Sequence, residues 1–345
     1  MQTRSATGSR LWLVLGLSSL LSIAAPAAAQ DTAAPAAAQE ADDDAPPWFT
    51  GPLLVPGATV DGTGNLFVQP YFSVGEGLGI YNNGLSARRS AVETTINVQL
   101  EVGYGFTENF DAQVDVQALW NGEDNASDGG AGDTQLELHY ALTDDDPDGW
   151  SPAVRVDYVQ VFPTGKFENL DPAKKGTDAR GSGVFAPSVA LNFMKTFHLG
   201  GEHFFRPDLS VNFSVPIDDR VHGLNSYGGG QGTDGIVHVG NSLTAYLSGE
   251  YSLTRHWALG FDSTYTYVYA TTFSGNPGVN PDGSPADVGV SSAYQITFSP
   301  QLEYNFDGNQ GLVLGPWFTV AGRDTEDFVS FVLSYATNFD VGTPW

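Results

Sequence analysis

From about residue 64 to its end, the chain is a series of segments of about ten residues in which apolar and polar side chains alternate with a period of two. Ile96, Val98, Leu100, Val102 and Tyr104 alternate with Asn97, Gln99, Glu101 and Gly103. After a short Thr107–Asn109 turn, Phe110, Ala112, Val114, Val116 and Ala118 alternate with Asp111, Gln113, Asp115 and Gln117. A β-strand sends successive side chains to opposite sides, so each segment has one apolar and one polar face. The pattern recurs at Gln135–Tyr140, Asp208–Val215, Ser242–Tyr251 and Tyr294–Tyr304. Helical periodicity is missing, and after the first 29 residues no apolar run is long enough for a membrane-spanning helix.

Two architectures produce such alternation: a soluble sandwich with the apolar faces inside, and an outer-membrane barrel with them against lipid. The segments of about 9–14 residues suit a tilted membrane crossing, and their ends carry Trp120, Trp150, Trp257, Tyr267, Tyr269, Phe306 and Phe339, as an interfacial girdle requires. The sequence therefore predicts an all-β protein, a transmembrane antiparallel up-and-down β-barrel. About 12 strands are expected, with 10–14 compatible, at 64–74, 93–106, 109–119, 133–142, 151–162, 183–197, 203–215, 239–252, 256–270, 291–306, 311–321 and 326–339. Short links follow even-numbered strands and long links follow the first, third, fifth, seventh and ninth. Short periplasmic turns and long external loops then place both termini in the periplasm.

Residues 1–29 contain no acid; Arg4 and Arg10 precede the apolar run Leu11–Ala24, and Ala27–Ala29 offers a cleavage site. This order predicts a cleaved signal peptide and export to the outer membrane of a Gram-negative bacterium. Residues 30–47 read as a disordered Ala/Pro/Asp-rich linker. Residues 48–63 form an apolar N-terminal segment whose Trp48, Phe49, Leu53 and Leu54 either plug the lumen or lie along the membrane interface, and 64–345 form the barrel.

Charge narrows the partners. The chain carries 14 Lys and Arg against 40 Asp and Glu, a net charge of −26, while only 16% of residues are charged. Nucleic acid is excluded as a partner, because phosphate contacts need a basic surplus. Outer-membrane lipid, lipopolysaccharide, the barrel-assembly machinery and a small-molecule solute are the partners to expect. The absence of cysteine removes thiolate metal sites and thiol nucleophiles. Asp144–Gly149 begins like a calcium loop, but Arg155 stands where the bidentate acid would be, so neither metal nor cofactor is expected.

The polar faces carry Glu101, Asp111, Asp115, Glu137, Asp157, Asp208, Glu250, Asp262 and Glu303 against Arg155, Lys195 and Arg206. Ionisable groups at membrane depth must face water or each other, so these are candidates to line the lumen, with Arg155 and Arg206 at the centres of ion-pair networks and a resulting preference for cations. In the loops, Lys166, Lys174, Lys175 and Arg180 form a basic cluster that either binds lipopolysaccharide phosphates or is balanced by its own acids. Thr164–Lys166 and Gly228–Gly232 lack the helix that a phosphate cradle needs. A barrel enzyme needs a histidine or acid beside a serine at the rim. His222 is the most suggestive histidine, no serine motif accompanies it, and the chain is not expected to be an enzyme.

Trp48–Leu54, Gly64–Tyr71, Phe162–Phe167 with Asn169–Pro172 and Gly176–Ala179, and Val221–Asn225 with Tyr227–Gly230 resemble the "MetA-pathway of phenol degradation" group of outer-membrane barrels. The resemblance runs from about residue 48 to the end. It implies a barrel and the passive uptake of small, hydrophobic or aromatic, organic compounds, and it carries over no catalytic residue. The competing readings are a non-transporting structural or surface-interaction barrel and, below it, an enzyme acting on lipid.

Overall fold

The structure, a computed structural model, describes residues 47–82 and 86–343. Residues 1–29, most of the 30–47 linker and Trp345 lie outside the described residues. Twelve antiparallel strands form the barrel: β1 (Asn65–Tyr81), β2 (Ala87–Thr107), β3 (Phe110–Glu123), β4 (Thr134–Thr143), β5 (Ala153–Phe162), β6 (Ala186–Met194), β7 (His203–Ser214), β8 (Ser242–Ser252), β9 (Trp257–Val268), β10 (Ala293–Asp307), β11 (Gln310–Arg323) and β12 (Thr325–Asp340). Each pairs with its successor, and β12 pairs with β1, with Phe339 opposite Leu66 and Phe331 opposite Val74. Closure gives the spanning backbone its hydrogen-bond partners within the protein, which is what permits strands in hydrocarbon.

The two faces of each strand decide how the barrel sits. Val98, Leu100 and Val102 on β2, Val114 and Val116 on β3, and Leu209, Val211 and Phe213 on β7 are exposed, while Gln99, Glu101, Gln113, Asp115, Asp208 and Ser210 between them are buried. A soluble sheet would bury the first set. This inverted arrangement is stable only where lipid covers the outer face. Trp120, Trp257, Tyr269, Phe306 and Phe339 are exposed at strand ends, where the apolar band meets polar surroundings. Refolded in detergent, the protein is expected to give β-rich circular dichroism and a gel mobility that changes on heating. A soluble monomer without detergent would refute the assignment.

Several boundaries differ from the sequence expectation. The first link is not long: β1 continues to Tyr81 and β2 begins at Ala87, with Gly77 still paired to Glu93 and Tyr81 to Ala87. Backbone pairing outlasts the apolar pattern because a hairpin above the lipid needs no apolar face. Likewise Ala126–Ala131 folds back on β3, with Trp120 opposite Gly129. The sixth strand stops at Met194, so Lys195 is not on a strand. It reaches Asp145 in the β4–β5 turn at 2.6 Å, and Asp145 also accepts from the Thr196 N–H. That carboxylate is thereby committed to joining two turns. Pro47, assigned to the linker, is buried.

The chain enters and leaves the barrel at one end, the end with the short turns. At the other end the long loops fold together. Asp219–His222, Asp234–His238 and Thr272–Asn276 form a three-stranded sheet. Its inner face packs Val221 and Val237 against Val184, Tyr227 and Val239. Burial pushes the Tyr227 hydroxyl well above its usual pKa, and that hydroxyl donates to the Ser182 carbonyl.

Candidate lumen and its N-terminal segment

Between rim contacts of Trp48 with Arg255 and of Thr63 with Glu108, residues 49–61 lie inside the barrel. In place of a β-ladder, the segment meets the wall's side chains. The Asn305 side-chain amide donates to the Trp48 carbonyl (2.7 Å), and the Thr50 N–H donates to Glu303 Oε2 (2.9 Å). The Leu53 N–H donates to Gln301 Oε1 and the Leu54 N–H to Asp262 Oδ2, each at 2.7 Å. On the opposite wall, Arg155 Nη1 donates to the Thr59 carbonyl (2.5 Å), and the Asp61 N–H donates to Asp111 Oδ2 (2.6 Å). A backbone outside a sheet still needs partners for its polar groups, and here the polar strand faces supply them.

Apolar contacts complete the seat. Leu53 and Leu54 pack with Tyr71, Val313, Trp317, Phe328 and Val332, from β1, β11 and β12. Phe49 packs with Phe204 and Ala258 and lies under the Arg206 guanidinium, 4.4 Å from its ring centre. Arg255 covers the Trp48 ring at the same distance. Burying Phe49, Leu53 and Leu54 contributes about 1.5–3 kcal/mol each. The wall makes room with glycine: a side chain at Gly105 would overlap the Gly62 carbonyl, and one at Gly311 would overlap the Thr50 hydroxyl.

Apart from Lys195, which lies in a turn, the lumen candidates are buried in the barrel interior: Glu101, Asp111, Asp115, Glu137, Arg155, Asp157, Arg206, Asp208, Glu250, Asp262 and Glu303. Seven of them fall into two groups, while Glu101 and Asp115 accept from their strand neighbours Gln99 and Gln113, Glu303 accepts from the Thr50 N–H, and Asp208 has no hydrogen-bond partner among the described residues. In one, Arg155 binds Asp157 through Nε (2.7 Å) and Nη2 (2.9 Å), and Asn192 donates to the same carboxylate (2.6 Å). Beside it His139 bridges Asp111 (2.6 Å) and Glu137 (3.0 Å). In the other, Arg206 binds Glu250 at 2.6 Å, while Ser248 (2.6 Å) and Gln301 (3.0 Å) donate to Asp262. His139 and Asp61 were missed as site residues. The alternation Gln135, Glu137, His139 placed the histidine on the polar face, but nothing local showed that Asp111 would meet it.

The interior has a surplus of acceptors. Gln69 Oε1, Glu101 Oε2, Gln113 Oε1, Asp115 Oδ2, Glu137 Oε1, Glu250 Oε1, Glu303 Oε1 and both Asp208 oxygens are buried and make no hydrogen bond to another protein atom. Among the described residues, no group of three or more histidine and acidic side chains could hold a metal ion.

The basic loop residues are paired. Lys166 meets Asp178 (2.5 Å), Lys174 and Arg180 meet Asp128 (3.6 and 2.6 Å), and Lys175 meets Asp124 (3.0 Å). Burial works against it, but the charge and hydrogen bond of Arg180, with Lys174, hold the Asp128 carboxyl below its usual pKa. His222 sits half exposed 3.3 Å from Asp234, which Arg220 also binds.

No family model matches this chain, and no curated protein matches it. Among solved structures, an outer-membrane channel of the COG4313 group from Pseudomonas putida F1 superimposes with a TM-score of 0.63 at 15% identity, covering 82% of this chain and 98% of that one. The KdgM porin (TM-score 0.39, 9% identity, 79% and 99% covered) and the NanC porin (0.38, 12%, 78% and 98%) are more distant. The COG4313 likeness is one of fold, an outer-membrane β-barrel.

Proposed function

We propose that this chain is an outer-membrane channel for small organic solutes, closed at its periplasmic end by residues 47–64, and that it belongs with the MetA-pathway group it resembles in sequence. The signal peptide directs export, the short-turn end faces the periplasm, and lipid and lipopolysaccharide surround the apolar band. The observation that carries this reading is the kind of contact that seats the segment. From Thr50 to Asp61 its hydrogen bonds go to wall side chains, each of net value about 1 kcal/mol and replaceable by water. The segment can leave without breaking the ladder that holds the barrel together.

The acceptor surplus bears on the solute. Arg155, Arg206 and His139 are outnumbered by buried carboxylates and amide oxygens. Such a lining favours solutes that bring hydrogen-bond donors or positive charge over purely hydrophobic ones. In planar bilayers under a salt gradient, the open channel is expected to prefer cations over anions by about fivefold or more, and E250Q with D208N to reduce that ratio. Absence of solute flux from a correctly folded barrel lacking the segment would overturn the channel reading and favour a structural, non-transporting barrel.

A further inference from the structure

The outer face of the loop sheet holds a serine, a histidine and an aspartate in series. His238 Nδ1 lies 2.6 Å from Asp218 Oδ2, and His238 Nε2 lies 2.8 Å from Ser274 Oγ. Strand pairing explains why they meet. Asp219 is opposite Val237, and Val237 is opposite Phe273. Val237 points into the loop core. The residues next in line, Asp218, His238 and Ser274, therefore share the opposite face. Because a carboxylate only accepts, the neutral imidazole carries its proton on Nδ1 and leaves Nε2 free to accept from the Ser274 hydroxyl. This tautomer makes a histidine the general base for a serine.

Two further features suit acyl transfer. Thr272–Asn276 is an edge strand of its three-stranded sheet, so alternate amides along it point away from the neighbouring strand and can serve a developing oxyanion. Ile236, paired directly across from Ser274, is exposed on the same face and offers an apolar contact for an acyl group. The lipid-facing row of β7 continues through Val215 and Ile217, both exposed, and ends one residue before Asp218. The triad thus stands at the edge of the apolar band.

We propose that Asp218, His238 and Ser274 form a catalytic triad that hydrolyses carboxylic esters at the outer surface of the barrel. Ser274 Oγ attacks the ester carbonyl carbon while its proton passes to His238 Nε2. Asp218 holds the resulting imidazolium through Nδ1. The tetrahedral intermediate collapses, the C–O bond to the alcohol breaks, and the leaving oxygen takes the proton from His238. Water, deprotonated by the same Nε2, then attacks the acyl-serine, releasing the acid and restoring the hydroxyl. The sequence pointed to His222, whereas the distances assign the base to His238.

The test uses the full-length barrel folded in detergent. A fluorophosphonate probe should label Ser274, located by peptide mass spectrometry, and p-nitrophenyl butyrate should be hydrolysed. S274A should abolish labelling, H238Q should lower hydrolysis about a hundredfold or more, and D218N should lower it less. H222A, outside the triad, should change neither. Vesicles of ester-linked phospholipid, run in parallel, distinguish a lipid substrate from a soluble ester. Should S274A fail to show heat-modifiable folding, H238Q on the exposed face gives the same answer. Absence of labelling, or hydrolysis equal in wild type, S274A and H238Q, overturns the proposal. Conductance is measured separately, so this outcome leaves the channel reading untouched.

Discussion

Deleting residues 47–60 is expected to raise single-channel conductance about tenfold or more, because an emptied twelve-stranded lumen lies between the filled eight-stranded and the open sixteen-stranded barrels. The segment touches β1, β3, β5, β7 and β9–β12 through Leu53, Leu54, Phe49, Thr59 and Asp61, so it occupies the cross-section and does not merely hug one wall. Its removal exposes Glu303, Gln301 and Asp262, which lose their backbone donors and gain water, and frees Arg155 Nη1 from the Thr59 carbonyl. The polar losses are re-solvated, and loss of the apolar contacts of Phe49, Leu53 and Leu54 leaves the strand ladder of the wall paired, so heat-modifiable folding should survive. A point substitution separates occlusion from chain length. G311L puts a side chain where the Thr50 hydroxyl lies. It should unseat the entering half of the segment and produce frequent openings of intermediate size. An unchanged conductance in both variants, with folding intact, would mean that the lumen is closed elsewhere.

The barrel was legible in the sequence because lipid imposes its rule locally. Each outward residue must be apolar and each inward neighbour is free to be polar, so Val114, Asp115 and Val116 announce their faces within three positions. Where lipid stops, so does the signal. Gly75, Gly77 and Gly79 sit in a paired strand that no alternation marks. The seat of the N-terminal segment was illegible for another reason. Its apolar content was plain, but Thr50 meets Glu303 253 positions away, and Leu54 meets Asp262 208 positions away. The same holds for the loop triad, whose members come from three separate strands and loops and share no motif. The paired lysines of the 163–182 loop were half legible: Asp178 is nearby in sequence, while Asp124 and Asp128 arrive through the β3 hairpin.

Arg155 is the residue whose loss should cost the fold most. It is 1% exposed, its guanidinium binds both oxygens of Asp157, and its remaining arm holds the Thr59 carbonyl. Replacing it with methionine leaves Asp157 buried with Asn192 as its donor. Removing one partner of a buried ion pair costs about 3–5 kcal/mol, far more than the pair itself contributes, because the surviving charge has neither water nor a counterion. R155M is therefore expected to lower the free energy of urea unfolding in detergent by that amount, read as a lower midpoint at unchanged slope. Adding D157N removes the stranded charge and should recover more than half of the loss. Such recovery assigns the effect to the uncompensated carboxylate. If the double variant were as unstable as R155M, the cost would lie in the lost Thr59 contact, and conductance would then rise in both variants alike.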